Sequence, residues 1–350
     1  MLEDRTITLV SGGSQITGWT KLSIEKSIEK LSPSFSFSFV DKDIFYDSVQ
    51  PEQPVSLYYE SEKIVTGYID SIDPSIDDGG FYSDVKGRTK TCDIVDCSAE
   101  NDGGRWNNIS PVTVVSELCK PFGITVKSTL ANITPIKCFT IDTGETVFEA
   151  ISRICGACNA IPVTDSEGNL VLTNATLSET TWDSLEYGKN IISAGYSLDY
   201  TNRFSDYTVK GQITVTSGFS DAKLTIKGTA KDSAITRHRP LQIKPDDQIT
   251  QGLANSRAAW EAQVRMGRSR RLSVVVPGWL QSDQTLWDVN MMAMVIIPRL
   301  RINTKLLITT LRFEYDNNGK FTSMELADPN SFAPQPKHLV KETVQKGPFS

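Results

Sequence analysis

Histidine is nearly absent. The 350 residues contain two, His238 and His338, which excludes a histidine-built zinc centre and the HExxH helix of metalloproteases. A Ser-His-Asp device would have to use one of them. His238 lies in "TRHRP", where two arginines oppose its protonation, and His338 lies in the tail, so both read as surface residues. A strong charge of either sign is also missing. The 36 basic residues nearly match 42 acidic ones, and a net charge of -6 is too mild for a dedicated nucleic-acid or polyanion binder. No apolar run is long enough for a membrane span: the longest, Met291 to Ile297, falls far short of the ~20 residues a helix needs. Met1-Leu2-Glu3-Asp4 puts acids where a secretory signal carries bases, so the expectation is a chain made in a cytoplasm. In that compartment the six cysteines, at 92, 97, 119, 138, 155 and 158, are expected as free thiols.

What is present is β texture. The length exceeds what one hydrophobic core usually supports, so two or more domains are expected. "SFSFSFV" (34 to 40) alternates Phe with Ser, and "PVSLYYE" (54 to 60) and "KIVTGYI" (63 to 69) are rich in β-branched and aromatic residues. Short strands between Pro, Gly and Asp turns suggest a sandwich or small barrel. After "NDGGRWNN" (101 to 108) the texture changes. Ser110 caps a predicted helix with Pro111 first, and Pro121-Phe122-Gly123 ends it. Asp142 and Glu145 form a capping-box pattern before a second helix with Val147, Ile151, Ile154 and Cys158 on one face. "IPVTDSEGNLVLTN" reads as a hairpin around Glu167-Gly168. Strands resume at "NIISAGYSLDY" and "FSDYTVKGQITV". A helix starting at Pro245-Asp246-Asp247 then carries Ile249, Leu253, Trp260 and Val264 on one face and Arg257, Glu261 and Arg265 on its flank. "RRLSVVVP", "AMVIIPRL", "KLLITTLRF" and "FTSMELAD" complete a second β region.

The two β regions echo one another. Each has an apolar strand, a polar break, a Lys-led strand (Lys63; Lys305), an Asp-rich turn ending in Gly (Asp77 to Gly80; Asp316 to Gly319) and a return strand with Phe81 or Phe321. If the echo reflects equivalent domains, Lys63 to Phe81 superposes on Lys305 to Phe321, and both glycines lie in tight turns.

Chemistry is sparsely represented. "CGAC" places Cys155 and Cys158 at redox spacing, but in the second half of a predicted helix, away from the end whose dipole would lower a thiol pKa; packing is the favoured alternative. "CDIVDCS" (92 to 98) places Asp93 and Asp96 near two thiols, yet its alternation suits a half-buried strand. Glu145 and Glu149 are the first carboxylates to consider for cell-wall glycoside hydrolysis. "SGGS" (11 to 14) lacks the ending of a phosphate loop. "RMGRSRR" (265 to 271) could meet phosphate or an acidic surface, or simply end a helix in solvent. No catalytic, cofactor-binding or metal-binding residue is assigned, and no cofactor is expected.

The run 86 to 126, with "KGRTKTCDIVDCS", the Trp-Asn-Asn turn and "LCKPFGI", resembles the baseplate hub tail proteins of Mu-like contractile-tailed phages. The similarity continues through "GETVFEAISRICG" and "DYTNRFSDYTVKGQ". The resemblance implies a mainly β fold with α+β parts, related to the hub part of type VI secretion spike proteins. Two similar β-barrels would form a pseudo-sixfold ring in a homotrimer, beside a small α/β domain outside the tube path and a helix-containing insertion. The corresponding division is 1–100, first barrel; 101–178, α/β domain; 179–235 with 268–330, second barrel; 236–267, helical insertion; 331–350, tail. The implied role is noncatalytic: a virion protein, assembled in the bacterial cytoplasm, that adapts a sixfold tail tube to a threefold membrane-piercing spike. No spike is fused to this chain, so a separate spike protein, the tube protein and other baseplate proteins are the expected partners. The alternatives are a tail-associated hydrolase and a peptidoglycan-binding module, the latter because Phe139 to Asn174 has a LysM-like order of strand, helix and strand.

Overall fold

The computed structural model describes residues 6–336 apart from 41–48, 79, 101–103, 132, 159, 175–178, 218–219, 246–248 and 334, with backbone alone for 77, 212–217 and 220–224. The first β region holds β1 (Ile7–Ser11), β2 (Ser14–Ile16), β3 (Lys21–Ser27), β4 (Ser34–Val40), β5 (Pro54–Tyr59), β6 (Glu62–Asp77) and β7 (Gly80–Thr89). In β4 the Phe-Ser alternation follows the two-residue pleat: Phe35, Phe37 and Phe39 are buried and Ser36 and Ser38 are half-buried.

The α/β region follows with α1 (Cys92–Asp96), β8 (Arg105–Ile109), α2 (Pro111–Cys119), β9 (Val126–Ser128), β10 (Ile136–Thr140), α3 (Val147–Cys158), β11 (Ile161–Thr164) and β12 (Leu170–Thr173). Its core gathers Ile94, Trp106, Val115, Leu118, Ile151 and Ile154. The stretch expected as a strand at 92 to 98 is helix α1 instead. Its apolar run is too short for periodicity to separate helix from strand, and a helical turn places both Cys92 and Ile94 in the core. As expected, α2 starts at Pro111 with Ser110 at its cap position, and Gly123 ends the following turn at φ +63°. The LysM-like order is not realised as one sheet: β10 pairs with β8, whereas β11 pairs with β12.

The second β region begins with β13 (Leu185–Glu186) and β14 (Ser193–Leu198). The chain then leaves it for a lobe of β15 (Asp206–Ser217), β16 (Ser220–Lys231), β17 (Pro240–Ile243) and α4 (Gln251–Arg268). It returns as β18 (Arg270–Pro277), β19 (Met292–Ile297), β20 (Ile302–Asp316) and β21 (Gly319–Ala327). Residues 179–235, expected in the second barrel, do not all belong there: β15 and β16 form a separate three-stranded sheet with β17. Alternation marks a strand without naming its partner, and the partner here is Pro240–Ile243. The helix packs on that sheet at Gly228, where a Cβ would stand 2.1 Å from the Ala254 carbonyl carbon, so only glycine permits the approach. Thr250 caps α4 by accepting from the Leu253 amide at 3.3 Å; Asp246 and Asp247, the expected start, lie outside the described residues.

The two β regions are not separate barrels. They are joined in one thirteen-stranded sheet whose path does not close, through antiparallel pairing of β3 with β20. Within it the same strand order occurs twice, β3-β4-β7-β6-β5-β1 and β14-β18-β21-β20-β19-β13. Corresponding registers agree. Ser34 opposite Arg88 through Val40 opposite Tyr82 matches Arg271 opposite Ala327 through Pro277 opposite Phe321. Each long hairpin has one extra residue, Asp70 or Thr309, equally far from the closing pair Asp77/Gly80 or Asp316/Gly319. Gly80 and Gly319 have φ of 139° and 114°, values that glycine adopts at little cost. The duplication is therefore in the fold, but its alignment differs from the expected one. Setting Gly80 on Gly319 places Lys305 on Thr66 and Phe321 on Tyr82, so the two lysines are not equivalent. One strand departs from the pattern: β1 is antiparallel to β5, whereas β13 is parallel to β19.

Candidate assembly surface

The residues with enzyme-like spacing are occupied with holding the fold. Glu145 accepts the Asp142 amide at 2.6 Å and binds the Arg153 guanidinium, and Glu149 closes a reciprocal capping box with Thr146, at 2.7 and 3.2 Å. The helix thus begins after Thr146, later than the Asp142 pattern predicts. Cys155 is buried in the α/β core, and burial, with Cys158 beside it, pushes its thiol well above the usual range. The Cys158 thiol, also raised by burial, donates to the Ile154 carbonyl at 3.2 Å. Burial likewise pushes Cys92 and Cys119 up to about 12. These are the opposite of activated nucleophiles.

Of the two carboxylates in this segment, Asp93 accepts from the Cys92 thiol at 3.6 Å, whereas Asp96 is held by Arg88. The Arg88 guanidinium holds the Asp96 carboxyl below the ordinary range, and the same side chain reaches Asp70, tying the extra residue of β6 to α1 at 2.7 and 2.8 Å. The arginine-rich run is dispersed rather than focused. Arg265 and Arg257 both bind the buried Glu261, and Arg271 bonds Glu29 from its position on β18. His238 is on an exposed loop, and His338 lies outside the described residues. Among the described residues no three His, Cys, Asp or Glu side chains converge as metal ligands, and no helix is long and apolar enough to cross a membrane.

Sequence reasoning missed the buried pair Arg203 and Asp232, joined at 2.7 and 2.9 Å. It stands where the chain enters the lobe. Arg203 also reaches Ser269, where the chain leaves, and the Asp199 amide donates to the Ser269 carbonyl at 2.9 Å. No local pattern distinguishes Arg203 from a surface arginine; only the fold buries it.

The unusual surface is apolar and lies at two sheet margins. Among the described residues the exposed large hydrophobics fall into two groups. Val40 and Ile76, 45% and 79% exposed, stand near the β6–β7 tip; Trp182, Tyr187, Ile192, Leu198 and Tyr200 stand around β13 and β14. Among the described residues both margins have an edge without a partner strand. β14 pairs with β18 on one side and ends the sheet path, and β5 accompanies β6 only as far as Tyr68, leaving 71–76 paired with β7 alone. Such edges are templates for another strand. Motif searching overlooks them because only the pairing pattern shows which edge is free.

Among the described residues the fold is thus a duplicated, open β scaffold whose marginal strands have one neighbour each, a geometry open to strands of other chains. Comparison with known proteins agrees. The model for the N-terminal domain of GpP-like Mu phage baseplate assembly proteins matches 6–89, the second domain of gp44-like baseplate hub proteins matches 91–174, and the fourth domain of Mu GpP matches 250–335. The baseplate hub protein gp44 of Escherichia phage Mu is 32% identical over 93% of this chain and 89% of its own length. The chain therefore belongs to the family of Mu-like phage baseplate hub proteins, structural components of the tail. The 43 kDa tail protein of prophage MuSo2 from Shewanella oneidensis superposes with a TM-score of 0.86 at 30% identity, over 94% of this chain and 99% of that one. An Escherichia coli type VI secretion component, described as similar to T4 tail proteins gp27 and gp5, shares the fold alone, with a TM-score of 0.56 at 10% identity over 95% of this chain and 80% of that one.

Proposed function

We propose that this hub is a noncatalytic homotrimer in the virion tail, assembled in the bacterial cytoplasm, that adapts a sixfold tail tube to a threefold membrane-piercing spike. The carrying observation is the doubled strand order within one chain. Three chains with two equivalent β modules each offer six similar edges to a tube and three identical ones to a spike. The modules are 1–100 and the second β region from 179 to 330 without its lobe, with 101–178 outside the tube path, β15 to β17 and α4 as the insertion and 331–350 as a tail. One contact crosses these limits: α1 contributes Ile94 to the α/β core. Other baseplate proteins complete the partner set. Each subunit contact in such an obligate ring should bury on the order of 2,000 Å² or more. Native mass spectrometry is the test, with three times 38.7 kDa expected. A stable monomer at micromolar concentration would overturn the trimer, and lytic bands on a peptidoglycan zymogram would overturn the noncatalytic role.

A further inference from the structure

The junction between the two β modules is a template for a contact between copies. Inside the chain, the first module joins the second through β3 against β20, with Leu22 opposite Tyr315, Ile24 opposite Phe313 and Lys26 opposite Leu311. The counterpart of β3 in the second module is β14, because Lys21 opposite Ser38 on β4 matches Ser193 opposite Val275 on β18. The counterpart of the β20 segment that receives β3 is 71–76 of β6. Among the described residues each of these counterparts has the corresponding edge unpaired. We propose that they pair with each other between subunits: Ser193–Leu198 of one chain adds antiparallel to Ser71–Ile76 of a second copy, repeating the β3–β20 junction in the same register.

Copying that register sets Ile72 opposite Leu198, Pro74 opposite Tyr196 and Ile76 opposite Ala194 on one face. The other face sets Ser71 opposite Asp199, Asp73 opposite Ser197 and Ser75 opposite Gly195. All apolar partners share one face and all polar or small ones the other. A slip of one residue would destroy that match, so the agreement is a check that the pairing did not have to pass. Exposure points the same way. β3 has Leu22 and Ile24 buried, while all of its counterpart β14 is exposed except the half-buried Tyr196; Ile76 and Leu198 are 79% and 57% exposed. Pro74 lacks a donor, so it suits an edge strand and withholds at most one hydrogen bond. The contact is head to tail, so it propagates from copy to copy and closes only as a ring.

The inference rests on the trimer reading, and the test separates the two. Asp73 and Ser197 are exposed, and their intrachain counterparts Arg312 and Glu25 are hydrogen-bonded across β3–β20, so side chains at this position reach one another. The full chain carrying Asp73→Cys with Ser197→Cys is mildly oxidised and run without reductant beside the parent chain and an Asp73→Cys/Tyr196→Cys control, whose Tyr196 position faces away from Asp73. Covalent dimers and trimers in the first variant alone are expected. A trimeric native mass with no cross-linking above the parent chain and control would overturn the strand junction and leave the trimer standing. A monomeric parent chain would overturn both.

Discussion

Arg203 has no exposed surface and pairs its charge with the buried Asp232, which is 9% exposed. A buried pair adds little net stability, but removing one partner strands the other. Arg203→Ala should therefore destabilise the chain by about 3–5 kcal/mol in chemical denaturation, and Arg203→Met with Asp232→Leu should recover most of that loss. The thiols separate by the same logic. Cys97 and Cys138 are exposed, whereas Cys92, Cys119 and Cys155 are buried and raised in pKa. Alkylation of the native protein near pH 8, read by mass spectrometry, should modify Cys97 and Cys138 quickly and the three buried thiols only after unfolding. Early modification of Cys155 would reopen a redox reading of "CGAC".

At the scale of elements, β3 on β20 is the contact that makes one sheet of two regions, and Glu25 is its charged clasp. Arg312 first, and Lys30 with it, hold the Glu25 carboxyl below its ordinary 4.5. A depressed carboxylate stabilises the fold above its unfolded pKa and loses that contribution as pH falls through the lower folded value. Arg312→Ala should thus cost up to about 1 kcal/mol near pH 7, since the pair is partly exposed, and the gap between variant and parent chain should shrink below pH 4.5. Urea denaturation across that range measures it; a gap that widens with acid contradicts the assignment.

Elements whose cause is local were legible in advance. β4 and β18 occupy the predicted residues because alternation reports a half-buried strand directly, and α2 begins at Pro111 because proline fits the first helical position. Elements decided by distant partners were not. Nothing near Lys21–Ser27 announces that Ile302–Asp316 will lie beside it, and nothing in β15 announces Pro240–Ile243. The duplication was visible through its turn glycines, yet matching lysines misaligned it, because pairing register and not residue identity defines equivalence. The candidate assembly edges were invisible for the same reason: only the pairing of the described strands shows which have a single neighbour.

At the scale of the whole molecule, the lobe of β15 to β17 and α4 is an excursion from a hairpin. β14 and β18 pair along their length, from Ser193 opposite Val275 to Leu198 opposite Arg270, so the strands that flank the lobe already lie side by side. The lobe has its own small core of Val209, Ile249, Ala254 and Ala258. Among the described residues its ties to the rest of the chain include Arg203 to Ser269, Trp260 to the Ala333 carbonyl at 2.7 Å, Gln263 to Asn330 at 2.8 Å, and Gly267 against Ser331. Replacing 200–268 with a short Asn-Gly-type turn should therefore leave the thirteen-stranded sheet folded, with β14 and β18 as an ordinary hairpin. If the ring is built from the two β modules, the shortened chain should keep the native mass of a trimer while melting at a lower temperature, because Ser331 and Phe332 lose their cover. A shortened chain that folds, by circular dichroism, but runs as a monomer would instead assign subunit contact to the lobe.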